Sequence, residues 1–204
     1  MNKKILDGIN SVIKEVRCPL NYNHDYELLI AVMLSSQTTD ITVNKVTNVM
    51  FSKYDLKSLA NANLDEIEKI VRPCGMKRKA SSVIAIASSL LRDCNGSVPN
   101  NREYLENLPG IGRKSANVVL SELFDEPCLA VDTHILRVAK RLGLADINDS
   151  VLVVEEKLTK FFVGENYRNL HLKLLLFGRN ICTSKKPKCD ICPLNKICKN
   201  TEYK

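Results

Sequence analysis

The feature that most constrains the fold of this chain is a short turn leading directly into a helix, at residues 108–116 (LPGIGRKSA). Pro109 fixes its own φ angle, while Gly110 and Gly112 allow a left-handed backbone or the close approach of another group. Beyond Gly112 one face of a helix is apolar, formed by Ala116, Val119, Leu120 and Leu123. The stretch therefore predicts a tight turn that opens a helix.

Such a turn is a candidate anion-binding site. Its backbone N–H groups and the positive end of the helix dipole both favour a negatively charged group, and phosphate is the favoured occupant. The helix nevertheless begins with Arg113 and Lys114, although cations at this end are unfavourable by about 0.3–1 kcal/mol each. Cations at such a position indicate a function rather than a contribution to stability.

The rest of the chain is predicted to be helical. Apolar residues recur at helical spacing over residues 3–17, and they are nearly continuous over 26–37, as in a buried helix. A further helix is predicted over 133–142, ending at Gly143. No convincing alternating run predicts a strand. We expect an all-α protein of about ten helices, and 204 residues are enough to give it a substantial core.

Hydropathy and charge narrow the function classes. No apolar run approaches the roughly 20 residues that span a bilayer, and no signal-peptide segment follows Met1, so we expect a cytosolic protein. The net charge of +7 favours a polyanionic partner. The basic residues form separate clusters, which suits contacts with several phosphates; these lie at 77–79, 113–114 and 140–141, and at Lys185, Lys186 and Lys188.

Four of the eight cysteines lie close together, at Cys182, Cys189, Cys192 and Cys198. In a cytosolic chain such a group is more typical of a metal site than of disulfides. A structural zinc ion with four thiolate ligands is one interpretation. An iron–sulfur cluster held by the same four thiolates is the other.

Several segments together resemble one known family. LPGIGRKSA resembles the helix-hairpin-helix motif of the DNA glycosylase superfamily, and residues 131–134 (VDTH) resemble the segment that carries its downstream aspartate. Within that superfamily the chain is most similar to the endonuclease III family, and the resemblance covers nearly all of it. The further matching segments, in the family's order, are 28–40 (LLIAVMLSSQTTD), 43–45, 154–158 and the four cysteines.

The resemblance implies a fold of two all-α lobes with a DNA-binding cleft between them. One would be a six-helix barrel at 19–126, with the hairpin near 108–116. The other would comprise 1–18 and 127–204 and hold a [4Fe–4S] cluster through the four cysteines. The implied function is base-excision repair: removal of oxidised or damaged pyrimidines, then cleavage of the abasic site by Schiff-base β-elimination. The partner would be damaged or abasic double-stranded DNA, bound by a monomer in the nucleoid.

The resemblance also implies catalytic roles. Lys114 would attack the sugar C1′, which requires a neutral amine, whereas a free lysine is protonated at neutral pH. Asp132 would stabilise the sugar cation and help to activate Lys114 or a water molecule. Asp132 is also placed to cap the helix predicted from Thr133, and both roles can hold. For His134, a structural hydrogen bond is favoured over acid–base catalysis.

The remaining implied contacts are with DNA. Gln37 would fill the space left by the extruded nucleotide and pair with the orphaned base; the alternative is an ordinary polar residue at a helix end. Lys185 and Lys186 would reach the DNA backbone, or else be solvated surface charges. The hairpin would hold a phosphate, with these residues at the contact: Gly110, Ile111 through its amide, Gly112 and Arg113.

One loop departs from the family pattern. Residues 75–80 (GMKRKA) are one residue shorter than usual and lack an aromatic, which leaves Met76 as the candidate wedge into the duplex. The shorter loop is typical of related adenine glycosylases, which, like thymine-mismatch glycosylases, usually lack a lysine at the position of Lys114. A mismatch glycosylase and a non-catalytic, zinc-stapled DNA-binding module are therefore the alternatives.

Overall fold

The computed structural model describes residues 1–75 and 77–200, and over these residues the chain is helical without any strand, as predicted. Three single-turn 3₁₀ helices lie at Arg72–Cys74, Cys189–Ile191 and Asn195–Ile197. The α-helices in this part of the chain are α1 (Asn2–Val12), α2 (Asp25–Leu34), α3 (Asp40–Phe51), α4 (Leu56–Ala60), α5 (Leu64–Val71), α6 (Arg78–Cys94), α7 (Arg102–Asn107), α8 (Arg113–Phe124), α9 (Thr133–Leu142), α10 (Val151–Phe161) and α11 (Tyr167–Asn180).

The helices form two compact units. The central unit comprises Cys18–Phe124 and contains α2 to α8. The terminal unit is built from both ends of the chain, Met1–Arg17 together with the residues from Asp125 onward, and contains α1 and α9 to α11. Among the described residues no helix has the length and apolar character needed to cross a membrane.

Helix α2 forms the centre of the core of the central unit. Its residues from Leu28 to Leu34 are at most 3% exposed, because α2 packs against α3, α6 and α8. At its start, Glu27 Oε2 accepts the backbone N–H of Asn23 at 2.7 Å. The helix ends at Leu34, so the predicted helix over 26–37 is too long. Gln37 therefore lies beyond the helix instead of ending it.

Helix α1 also ends earlier than the predicted range of 3–17. It stops at Val12 because Ile13 adopts an extended conformation, with φ −113° and ψ 103°. Ile5, Ile9 and Ile13 are nevertheless all buried in the core of the terminal unit. The apolar pattern thus continues past the helix because Ile13 reaches the same core from an extended backbone.

Helix α9 agrees with its predicted limits. Asp132 caps its start, and Gly143 ends it in a left-handed conformation with φ +70°. One face of α9 joins the core of the terminal unit, which also includes side chains of α1, α10 and α11. Residues 182–198, called the cysteine segment below, contribute to the same core. Representative members of this core are Ile9, Ile135, Val138, Leu158, Phe162, Leu174, Phe177 and Leu194.

Helices α7 and α8 form a helical hairpin in the central unit. Asn101 caps α7 by accepting the Tyr104 N–H at 3.0 Å. Arg102 on α7 donates to the side-chain oxygen of Asn117 on α8, and Asn117 is fully buried. The hydrogen bond fixes the two helices relative to each other and so defines the geometry of the connecting turn.

The close contact of α9 and α11 predicts a cost for one substitution. A Cβ atom at Gly178 would lie 2.9 Å from His134 Cβ and 3.2 Å from the His134 carbonyl oxygen. We expect Gly178→Ala to lower the free energy of unfolding by about 1–3 kcal/mol, because the packed helices must separate. Urea unfolding monitored by circular dichroism measures this change. Gly112→Ala is the control, since a Cβ at Gly112 meets no atom within 4 Å; equal stability losses would contradict the packing argument.

Candidate functional site

The turn at residues 108–112 is closed by a backbone hydrogen bond and is packed at Gly110 and Ile111. The Ile111 N–H donates to the Leu108 carbonyl at 3.1 Å, and the Ile111 side chain is only 4% exposed. Gly110 has φ +85°, and a Cβ there would lie 3.0 Å from Met33 Cγ, so this position requires glycine. Gly112 has open space around it, which permits the close approach of another molecule.

The phosphate contact of the Ile111 amide stays a prediction. The Ile111 N–H closes the turn by donating to the Leu108 carbonyl. Ile111 therefore supports the turn through its buried side chain and its internal hydrogen bond. Gly112 and the first two residues of α8, which follow directly, are exposed.

The start of α8 presents two cations to solvent. Arg113 and Lys114 are both exposed, and they occupy the first turn of the helix. The first N–H groups of an α-helix have no acceptor within the helix. The hydrogen bonds of α8 begin with the Ala116 N–H, which donates to the Gly112 carbonyl at 2.9 Å. Lys114 is thus exposed in the first turn of a helix, the end that favours an anion.

Asp132 has the geometry of a helix cap. Its Oδ1 accepts the Ile135 N–H at 2.8 Å, and the residue is half-buried at the start of α9 in the terminal unit. The predicted capping role is therefore confirmed. A carboxylate has two oxygens, so capping through Oδ1 leaves it chemically able to act as a general base or to stabilise a cation.

His134 belongs to a network of hydrogen bonds in the terminal unit. Arg137 Nη2 lies 3.3 Å from His134 Nδ1 and donates to the Gly178 carbonyl at 2.8 Å. Arg137 Nε donates to the Cys182 carbonyl at 3.1 Å. These contacts support the structural role predicted for His134 and link α9 to the cysteine segment.

Gln37 lies in a turn after α2. The residue is exposed and has φ +57°, an uncommon conformation for a residue other than glycine. The turn is closed by the Thr38 N–H, which donates to the Ser35 carbonyl at 3.1 Å. The candidate wedge residue Met76 lies outside the described residues.

Lys79 does not belong to the basic surface. The sequence predicts a phosphate-binding cluster of Lys77, Arg78 and Lys79. Lys79 is only 4% exposed, however, and its amine is surrounded by oxygen atoms of the central unit. Burial lowers the pKa of Lys79. The sequence did indicate that Lys79 is buried, because Lys79 shares a helical face with Val83, which lies four residues later on the apolar side of α6.

The four cysteines between 182 and 198 line one cavity, together with apolar side chains that include Leu142 and Phe177. Burial raises the pKa of the Cys192 thiol, and the charges of the other three cysteines raise it further. Each of the four cysteines is half-buried.

Arg141 holds the cysteine segment against α9. Its guanidinium donates to the Thr183 carbonyl at 2.7 Å and to the Ser184 carbonyl at 2.9 Å, and its Nη1 lies 3.5 Å from Cys182 Sγ. Cys198 Sγ lies 3.3 Å from the Arg141 carbonyl oxygen. The sequence suggested only a basic cluster at Arg141, because the carbonyl partners lie more than 40 residues away.

The loop after Cys182 carries the two predicted backbone-contacting lysines. Lys185 and Lys186 are both exposed. The loop is ordered by the Thr183 hydroxyl, which donates to the Lys186 carbonyl at 2.6 Å. Their side chains are therefore accessible from a defined backbone.

A zinc ion and an iron–sulfur cluster would each take the four cysteines as ligands. A single zinc ion would need four sulfur atoms about 2.3 Å from one centre. A [4Fe–4S] cluster is a larger body held by four thiolates placed around it. Cys182, Cys189, Cys192 and Cys198 all line the cavity, which brings the four candidate ligands together.

Comparison with known protein families agrees with this site. Residues 30–163 match the HhH-GPD superfamily of base excision DNA repair proteins, and residues 182–198 match the iron–sulfur binding domain of endonuclease III. The first match covers more than half of the chain. The protein is therefore a base-excision DNA repair protein of the helix-hairpin-helix class.

Similarity to individual proteins narrows the assignment within the helix-hairpin-helix class. Endonuclease III of Bacillus subtilis (strain 168) is 39% identical over 196 residues, 95% of this chain and 90% of the relative. A trapped endonuclease III–DNA covalent intermediate, an estranged-adenine complex, has 41% identity and a TM-score of 0.89 over 98% of this chain and 96% of that chain. A thermostable thymine-DNA glycosylase has 26% identity and a TM-score of 0.85 over 97% and 93% of the two chains.

The chain belongs to the endonuclease III family. It is a DNA glycosylase and abasic-site lyase that binds DNA. The match to the iron–sulfur domain confirms the predicted [4Fe–4S] cluster over the zinc-stapled alternative.

The ligand set predicts the effect of removing one thiolate. The purified protein is expected to be brown, with broad visible absorption. Cys192→Ser should lose most of its iron and this absorption, because a hydroxyl is a poor replacement for a soft thiolate. Cys18→Ser, outside the set, is the matched control and should keep both. Iron content per chain and the visible spectrum provide the measurement, and full iron content in Cys192→Ser would contradict the ligand assignment.

Proposed function

We propose that this enzyme removes oxidised pyrimidines from duplex DNA as a monomer, and that it then cleaves the strand through a Schiff base formed on Lys114. The observation that carries the proposal is the exposed Lys114 in the first turn of α8, directly after the turn at 108–112. A similar structure is that of a trapped endonuclease III–DNA covalent intermediate, which supports a covalent step in the proposed reaction.

Lys114 acts as the nucleophile. Its neutral Nζ attacks C1′ of the damaged nucleotide, and the base departs with the electrons of the C1′–N bond and takes up a proton. Loss of the Nζ proton and ring opening leave an imine between Nζ and C1′. A proton is then removed from C2′ and the 3′ phosphate leaves. Hydrolysis of the imine restores Lys114.

Asp132 is the second catalytic group. Its carboxylate stabilises the positive charge that develops on the sugar as the base departs, and it accepts a proton from the Lys114 amine or from a water molecule. The cap on α9 orients the carboxylate, since Oδ1 is held by the Ile135 N–H. A fixed carboxylate can stabilise a cation without reorganising during the reaction.

The remaining residues position the DNA. Gly110 shapes the turn so that Gly112 and the start of α8 can receive a phosphate, and Arg113 adds positive charge. Lys185 and Lys186 contact the backbone from the cysteine segment. Gln37 fills the gap left by the extruded nucleotide and hydrogen-bonds the orphaned base.

The cluster has a structural role. Four thiolates fully ligate a [4Fe–4S] cluster, so it supplies rigidity to residues 182–198 and no open iron for substrate. In this proposal the terminal unit is the cluster domain, and the central unit is the six-helix barrel that carries the hairpin.

Borohydride trapping tests the nucleophile. On a duplex with an oxidised pyrimidine or an abasic site, the wild-type enzyme should give a covalent adduct, whereas Lys114→Ala should give none. Lys114→Arg is the matched variant: it keeps the positive charge and should bind abasic DNA, but its protonated guanidinium cannot form the imine. An adduct that persists in either variant would show that another amine reacts.

The rate of base release from three duplexes tests which base the enzyme removes. One competing substrate is a G·T mismatch, because a thymine-DNA glycosylase has a similar fold. The other is an A·G mismatch, because the segment at 75–80 has the short length typical of adenine glycosylases. Release of an oxidised pyrimidine should be the fastest of the three reactions. Faster release of thymine or adenine would assign the enzyme to mismatch repair.

The two roles of Asp132 are separable. Asp132→Asn retains an oxygen that can cap α9 but removes the charge, so thermal stability should stay within about 1 kcal/mol of wild type. Base release should fall by about 100-fold or more, because the cation loses its carboxylate. Asp132→Ala should lose activity and also about 0.5–2 kcal/mol of stability. Wild-type base release by Asp132→Asn would restrict Asp132 to capping.

A further inference from the structure

The buried ammonium group of Lys79 binds two segments of the central unit that are distant in sequence, residues 34–38 and Cys74. Its Nζ lies 2.8 Å from the Leu34 carbonyl, 2.7 Å from the Ser36 carbonyl and 2.7 Å from the Cys74 carbonyl. It also lies 3.1 Å from Thr38 Oγ1. Three carbonyls and one hydroxyl thus surround a side chain that is 4% exposed.

A cation suits this place because two helices end here. Helix α2 ends at Leu34, and the 3₁₀ helix ends at Cys74. Carbonyl groups at a helix end lack partners within the helix and carry negative partial charge. Lys79 donates to a carbonyl at each of these helix ends, whereas an apolar side chain would leave the Leu34 carbonyl without this donor.

The bonds of Lys79 flank Gln37 on both sides. Ser36 precedes Gln37 and Thr38 follows it, and both bond to the ammonium group. Thr38 Oγ1 also lies 2.9 Å from the Cys74 carbonyl, which ties the turn to the segment before α6. The left-handed backbone of Gln37 is therefore held in place by bonds made through its two neighbours.

Lys79 has no access to DNA. Its amine faces the interior oxygens of the central unit, and residues such as Ser82 and Val83 on the same face of α6 are buried with it. Any effect of Lys79 on the reaction must therefore pass through the segments that it holds.

We propose that Lys79 is a positioning residue for nucleotide extrusion: its ammonium group fixes the turn at 35–38 so that the exposed Gln37 side chain is ready to occupy the gap in the duplex. The inference rests on the proposed role of Gln37. A turn ordered before binding does not have to be ordered during binding, so less of the interaction energy is lost. Misplacement of a positioned group can reduce the rate by up to about 100-fold.

A double-mutant cycle tests this inference with the cluster-loaded full chain. Lys79→Met keeps the length of the side chain but removes its donors, and Gln37→Ala removes the amide. Each should lower kcat/KM for base release by about 10- to 100-fold. The double variant should be no slower than the slower single variant, because Lys79 acts through Gln37. Lys53→Met, an exposed lysine of the central unit, is the charge-matched control and should keep wild-type kcat/KM.

A second readout reports occupation of the gap. A 2-aminopurine base opposite an uncleavable abasic-site analogue changes its fluorescence when a side chain enters the stack. The change seen with wild type should be reduced equally in Lys79→Met, Gln37→Ala and the double variant at saturating protein. A general loss of stability would not produce this equality in folded protein.

Three outcomes would overturn the inference. Additive losses in the double variant would show that Lys79 acts independently of Gln37. A normal fluorescence change in Lys79→Met would show that the turn needs no ammonium group. No effect of Gln37→Ala would remove the proposed role of Gln37, and with it the role of Lys79, while leaving the Lys114 chemistry intact. If Lys79→Met does not fold, Thr38→Val, which removes one oxygen from the same network, replaces it in the cycle.

Discussion

Helix ends govern how this protein works, because every α-helix leaves N–H groups without partners at its start and carbonyl groups without partners at its end. In the terminal unit an oxygen of Asp132 satisfies the start of α9. In the central unit the Lys79 ammonium satisfies the end of α2. The start of α8 differs, since Arg113 and Lys114 occupy it. In our proposal a DNA phosphate binds at this helix start, so helix ends contribute to both the fold and the binding site.

The cysteine segment depends on bonds that differ from those of an ordinary core. It contains only single-turn 3₁₀ helices, and Leu194 is its one deeply buried residue among those described. Arg141 binds its carbonyls, and the cluster supplies the remaining cross-links. Because so little apolar surface is buried here, the free energy that orders the segment must come largely from metal ligation.

The sequence predicts those features whose causes lie close together along the chain. Helix α9 is an example, since Asp132 and Gly143 mark its two ends by their own conformations. The end of α2 is not predictable in this way, because Lys79 lies 45 residues beyond Leu34. Helix α1 was overestimated because apolar spacing does not distinguish a helical from an extended Ile13. The catalytic role of Asp132 stays a prediction, since capping alone accounts for its geometry.

The terminal unit includes residues from both ends of the chain, and this affects how the protein is made. Ile5 and Ile9 of α1 leave the ribosome first, but their partners in α9 and α11 and Leu194 are synthesised only after the central unit. The central unit is continuous along the chain and can fold while synthesis proceeds. Helix α1 must wait for most of the chain, which makes completion of the terminal unit and loading of the cluster late steps in the maturation of the enzyme.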